Sequence, residues 1–205
     1  MKKLFVLGDS ISIQYGPFLR KMVGDRFQYD RKRGEAEALA DLDRPIGANG
    51  GDSGMVLNYL GREWDKQVRY DVLLVNCGLH DIKTDPTTGR KQVSPAEYRE
   101  NLEEIVRIAR EMAHSVVWIR TTDADERIHN TRSSSFYRYH DDVVAYNAIA
   151  DEVMSAQEIP IIDLYTFTRS FGTSAFNDHV HYTEEIQCLQ AAYIAGYLDG
   201  WFRKN

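Results

Sequence analysis

Four short segments gather the side chains that could do chemistry: Gly8-Asp9-Ser10, Asn49-Gly50-Gly51-Asp52-Ser53-Gly54, Gly78-Leu79-His80-Asp81 and Asp178-His179-Val180-His181. A serine hydroxyl becomes a nucleophile when a base takes its proton, and an imidazole does this when a carboxylate holds it in the right tautomer. Acyl transfer also needs donors aimed at the oxyanion. Ser10, the Asp178/His181 pair and the two glycine-containing segments between them supply the types required. Each segment also has an ordinary reading. Gly-Asp-Ser between a strand and a helix is a common cap or anion site. Asn-Gly-Gly-Asp-Ser-Gly is a turn followed by a cap. His80 alone is a loop histidine, and Asp-x-x-His alone is a helix-start pair. Only the conjunction, each segment at the right end of an element, points to a hydrolase.

The elements that must position them alternate between strand and helix. Leu4–Leu7 is a short apolar run ending at Gly8, as in a buried parallel strand, and a helix follows from about Ile11 to Val23 with Pro17 near its start. Phe27–Asp30 is a weak strand. Residues 31–50 show no period and read as a long loop. Met55, Val56, Leu60, Trp64 and Val68 keep helical spacing behind Asp52 or Ser53 as cap. Val72–Val75 is a third strand, and 82–93 a loop or small hairpin. Ser94-Pro95-Ala96-Glu97 is a capping box with proline at the first helical position, followed by Tyr98, Leu102, Ile105, Ala109 and Met112 on one face. Val116–Ile119 is a fourth strand, 123–139 a polar loop, Asp141 to Ala156 a helix and Ile159–Leu164 a fifth strand. The last helix begins near Thr183. This alternation predicts one α/β domain over 1–205 with a mainly parallel sheet, in which ligands sit beyond the carboxyl ends of the strands.

Composition narrows the classes further. With 43% hydrophobic and 27% charged residues the chain is an ordinary globular sequence, and no apolar run reaches the ~18 residues of a membrane helix. A formal net charge of -6 disfavours charge-driven binding to nucleic acid, and no membrane partner is expected. Cys77 and Cys188 form no CxxC pair and are expected to be buried thiols. The apolar stretch at the N-terminus stops at Gly8-Asp9, too early for a signal peptide, so a cytoplasmic protein is expected. Asp178, His179 and His181 could be read as metal ligands on an extended segment. No second cluster supports that, and it leaves Ser10 without a role, so no metal and no cofactor are expected. Gly8-Asp9-Ser10 lacks the Gly-Lys-Ser/Thr ending of a phosphate loop.

Taken together the segments resemble the GDSL or SGNH hydrolase superfamily over essentially the whole chain. Gly8-Asp9-Ser10 is similar to the first block, which implies Ser10 as nucleophile. Asn49-x-Gly51-x-x-Gly54 is similar to the second, which implies the Gly51 amide in the oxyanion hole. Asp178-x-x-His181 is similar to the last, implying His181 as general base and Asp178 as its orienting partner. The resemblance implies a three-layer α/β/α flavodoxin-like sandwich with a five-stranded sheet. The third block departs: the family has Gly-x-Asn-Asp, and this chain has Gly78-Leu79-His80-Asp81. A neutral imidazole still carries one N–H, so His80 can stand beside the Ser10 and Gly51 amides as a third oxyanion donor. The serine at position 10 also separates the chain from the α/β-hydrolases, whose nucleophile sits in Gly-x-Ser-x-Gly.

The loop at 123–139 follows the fourth strand and should overhang the site. Its polar and aromatic mixture, with Arg127, Tyr137 and Arg138 as candidate substrate-binding side chains, suits a sugar or another polar alcohol better than a lipid tail; a solvated surface loop is the plain alternative. Lys83, Arg90 and Lys91 face either an acidic substrate or solvent. The expectation is a serine esterase that removes a small acyl group, acetyl above all, from a small-molecule or carbohydrate ester. A thioesterase, lysophospholipase or acyltransferase on the same framework is one alternative. A non-catalytic ligand-binding protein that keeps the fold is the other.

Overall fold

The computed structural model describes residues 1–204. Its centre is a sheet of five parallel strands: β1 (Lys2–Leu7), β2 (Phe27–Arg31), β3 (Tyr70–Val75), β4 (Ala113–Ile119) and β5 (Ile161–Ile162), in the order β2-β1-β3-β4-β5. The apolar runs read from the sequence form its middle: Leu4–Leu7, Val72–Val75 and Val116–Ile119 are all buried. Each such side chain contributes about 1.5–3 kcal/mol on burial. Helix α1 (Ser10–Val23) packs on α8 (Glu184–Lys204), while α3 (Ser53–Asp65), α4 (Pro95–Met112) and α6 (His140–Ala156) pack in a row. The two groups flank the sheet and make three layers. Among the described residues no helix is long and apolar enough to cross a membrane.

β1 lies between β2 and β3, so the chain leaves β1 toward one edge and leaves β3 toward the other. The carboxyl ends of these two strands therefore open a crevice at a topological switch point. Gly8-Asp9-Ser10 and residues 76–81 follow these strand ends.

Several elements differ from the sequence expectation. Pro17 falls in the middle of α1 rather than near its start. The segment 31–50 contains α2 (Glu35–Ala40), and 123–139 contains α5 (Glu126–Arg132). Each buries only one side chain, Ala38 and His129, so neither shows an apolar period. The fifth strand is two residues rather than six. Asp163 caps α7 (Leu164–Arg169) by accepting the Thr166 N–H at 3.0 Å, and this converts its second half into a helix start. Pro160 has no N–H for the ladder, and its carbonyl accepts from the Trp118 N–H at 2.9 Å. At α4 the reading holds: Ser94 Oγ accepts the Glu97 N–H at 3.2 Å behind Pro95. Cys77 is buried as expected, but Cys188 is only partly so.

The 82–93 segment is a small hairpin with Thr84 opposite Lys91, and Thr84 also exchanges two 2.8 Å backbone hydrogen bonds with Tyr137. This clamp holds the 133–139 segment against the turn that follows β3.

Candidate active site

Ser10 is the first residue of α1, and Asp9 is its N-cap, accepting the Ile11 N–H at 3.0 Å. A residue at that position keeps an N–H with no intrahelical acceptor and feels the positive end of the helix dipole. Ser10 is nearly buried at 4% exposure. Its Oγ lies 3.0 Å from His181 Nε2, and His181 Nδ1 lies 2.7 Å from Asp178 Oδ2. The other carboxylate oxygen, Oδ1, accepts the N–H groups of Val180 and His181, both at 2.8 Å. The turn that makes this geometry is thus closed by the aspartate itself. Burial works to raise the Asp178 carboxyl, but the His181 ring and the two backbone N–H groups outweigh it and hold it well below the usual carboxylate range. An ionised Asp178 accepts a hydrogen bond from the Nδ1–H of His181, which fixes the tautomer and leaves the Nε2 lone pair to accept from the Ser10 hydroxyl. This arrangement has the geometry that a serine nucleophile and its base require.

The second segment is held from behind by two cations at the end of β2. Arg31 is buried and donates to the Ser12 carbonyl at 2.8 Å, to Ser12 Oγ at 3.2 Å and to the Ala48 carbonyl at 3.4 Å. Lys32 Nζ donates to the Asn49 carbonyl at 2.6 Å, and the Gly50 N–H bonds the Gly8 carbonyl at 2.9 Å. Gly51 has φ +77°, and a Cβ there would lie 2.5 Å from Met55 Sδ, so only glycine fits. Its N–H donates to Asn49 Oδ1 at 3.0 Å, so an oxyanion would share that donor with the Asn49 side chain.

The third segment is the most buried. His80 is 3% exposed and its Nδ1 has no hydrogen-bond partner among the described residues. Burial, followed by the nearby charges of Lys83 and Arg138, pushes the ring well below the ordinary histidine range, so it is neutral. Arg138 Nε donates to the Leu79 carbonyl at 2.9 Å and braces the turn.

Of the three side chains expected to bind substrate, only Arg138 belongs to this cluster, and it is buried rather than open to the crevice. Burial lowers its guanidinium to about 10, while the carboxylates of Asp43, Asp9 and Asp178 work to raise it. Tyr137 is half-buried, and Arg127 is exposed on α5.

The structure adds contacts with no signal in the sequence. His179 faces Asp43 at 3.3 Å, and its ring lies 4.6 Å from that of His129 and 6.1 Å from that of His181. The His179 hydrogen bond holds Asp43 down to about 2. Asp43 and His179 are 136 residues apart, and no local pattern links them. Among the described residues no three histidine, cysteine or acidic side chains are gathered as metal ligands.

Asp81 serves the framework. Its Oδ1 accepts the Ser53 N–H at 2.8 Å, which fixes the start of α3, and its Oδ2 is buried without a partner. Burial raises its carboxyl to about 7. A carboxyl raised on folding binds a proton that the unfolded chain has released, so its contribution to stability falls as pH rises from roughly 4 to 7. Asp81→Asn keeps the acceptor and removes the titration. The difference in Tm between wild type and Asp81→Asn should therefore shift against the wild type across that window, and a constant difference would show that Asp81 does not titrate there.

Comparison with known proteins bears on the family and the fold. The model of the GDSL-like lipase/acylhydrolase family matches residues 6–187. No match was found among curated protein sequences. Among solved structures, a lipase/acylhydrolase from Enterococcus faecalis is 22% identical with a TM-score of 0.71, covering 98% of this chain and 96% of that one. A carbohydrate acetylesterase from Sinorhizobium meliloti is 12% identical with a TM-score of 0.68, covering 98% and 100%. An acetylxylan esterase from Geobacillus stearothermophilus is 12% identical with a TM-score of 0.65, covering 94% and 92%. At these identities the structural likenesses concern the fold.

Proposed function

Given that the chain belongs to the GDSL-like lipase/acylhydrolase family and is a carboxylic ester hydrolase, we propose that Ser10, His181 and Asp178 remove a small acyl group, acetyl above all, from a polar alcohol such as a carbohydrate. The observation that carries this is the unbroken hydrogen-bond chain from Ser10 Oγ through His181 to Asp178. Ser10 attacks the ester carbonyl as His181 takes its proton. The imidazolium, stabilised by Asp178, then protonates the leaving alcohol. Water, activated by the same ring, releases the acid from the acyl-enzyme.

The oxyanion is held by the N–H groups of Ser10 and Gly51 and by His80. A buried acceptor without a partner costs less than a buried donor without one. The unpartnered Nδ1 therefore favours the tautomer with the hydrogen on Nε2, which gives His80 one N–H to offer. Loss of one such donor costs about 10²–10³ in kcat. His80→Ala should lower kcat by roughly that factor with little change in KM, and His80→Asn should restore part of it. Because the ring is already neutral, the pH profile should keep its shape in both variants. A loss of thermal stability with kcat within a few-fold of wild type would reduce His80 to a brace for its turn.

The polar substrate rests on the surroundings of the triad. Lys83, Asp43 and His179 stand near the triad, with His80, His129 and Arg138 buried among them, so its surroundings are polar. The acetylesterases among the structural neighbours suggest the same acyl group. A panel of p-nitrophenyl esters tests this. Acetyl should be turned over faster than decanoyl, and the reverse preference would move the enzyme to the lysophospholipase side.

A further inference from the structure

A cleft of about 720 Å³ lies away from the triad, between α3 and the β1–β2 side of the sheet. Seven of its lining side chains are lysine or arginine and two are carboxylates, in a chain whose net charge is -6. Both carboxylates are already committed: Asp30 to Arg33 at 3.0 Å and Glu63 to Lys66 at 2.8 Å. Among the described residues Lys32, Arg62 and Arg69 have no carboxylate within ion-pair distance. Burial above all, then the charges of Arg62 and Arg31, lowers the Lys32 ammonium from its ordinary value. Aromatic rings form one wall. Phe5 stacks on Tyr70 at 4.5 Å and on Tyr59 at 6.2 Å, and Lys32 lies 5.9 Å from the Tyr59 centroid.

We propose that this cleft binds a short acidic oligosaccharide, its uronate carboxylates held by Arg62, Arg69 and Lys32 and a pyranose face laid against the tyrosine wall. Guanidinium groups take carboxylates in bidentate pairs, and unpaired cations supply the charge such a ligand lacks in water. The volume falls in the range of small-ligand clefts, roughly 300–1,000 Å³. A nucleic acid would need a far larger basic surface and would meet the overall negative field of the chain. The choice of a glycan among anions of this size rests on the carbohydrate-ester reading above. Two lining cations join the cleft to the catalytic loop: Arg31 bonds the carbonyl of Ala48, and Lys32 that of Asn49, whose side chain accepts the Gly51 N–H. The cleft is thus placed to anchor an acidic chain behind the loop that serves the ester.

Calorimetric titration of the full chain with oligogalacturonate tests the proposal, with a neutral oligosaccharide of equal length and a single-stranded oligonucleotide as the other arms. Oligogalacturonate should bind, and added salt should weaken it. Arg62→Glu/Arg69→Glu should weaken binding by about tenfold or more, two charge-assisted contacts being lost. Hydrolysis of p-nitrophenyl acetate and the Tm should stay unchanged in that variant. Arg62→Gln/Arg69→Gln serves if charge reversal lowers the Tm. Absence of binding at low ionic strength, equal binding of the neutral sugar, tighter binding of the oligonucleotide, or undiminished binding by a folded double variant would each overturn it. Binding without turnover of any ester would leave the cleft standing and remove the esterase reading instead.

Discussion

Ser10→Ala should give a folded protein that hydrolyses p-nitrophenyl acetate about 10⁶-fold more slowly than wild type, the scale of losing the nucleophile of a serine triad. The fold should survive because, among the described residues, Ser10 Oγ hydrogen-bonds only His181. Asp9, not Ser10, caps α1, and alanine is well tolerated inside a helix. Removing the hydroxyl leaves the base and the oxyanion donors in place but gives the acyl group nowhere to go. Labelling by a fluorophosphonate should disappear with the activity. A variant that keeps both its turnover and its labelling would show that another group attacks the ester. Loss of wild-type activity in chelator would restore the metal reading of Asp178, His179 and His181.

Asp178→Asn should lower kcat by roughly 10⁴ with the serine and histidine still present. In the wild type Oδ1 is filled by the N–H groups of Val180 and His181, and Oδ2 faces His181 Nδ1. An asparagine that keeps the two backbone bonds on its oxygen must turn its NH₂ toward Nδ1. The ring then accepts at Nδ1 and carries its hydrogen on Nε2, where it can no longer take the Ser10 proton. The charge that stabilises the imidazolium is lost as well. Measurement of kcat on the same ester decides the matter. A fall of less than tenfold would mean that His181 keeps its tautomer and its basicity without the carboxylate, so that the working unit is a dyad.

How far the sequence carries depends on what each signal is made of. The central strands were legible because a strand buried on both faces is a run of apolar residues, as at Leu4–Leu7 and Val72–Val75. Helix α4 was legible because it buries a full stripe behind a serine cap with proline at the first helical position. Helices α2 and α5 were not, since one buried side chain each makes no period. The two-residue β5 was overestimated because an apolar run looks the same whether it continues as strand or turns at Asp163 into a helix.

The site divides in the same way. Ser10 beyond β1, Asp178 and His181 three residues apart, and the glycine that only a positive φ explains are local features, and local features are written in adjacent residues. They determined the reaction class together with the strand ends that carry them. Tertiary structure alone decided the rest. It buried His80 and so made it neutral, withdrew Arg138 from solvent to brace Leu79, and set Asp43 against His179. It tied up the Gly51 N–H with Asn49 and gathered Arg62, Arg69 and Lys32 around an aromatic wall. The reason is physical: desolvation and the fields of distant charges depend on which surfaces the fold brings together, and those distances are not encoded in the spacing of residues along the chain.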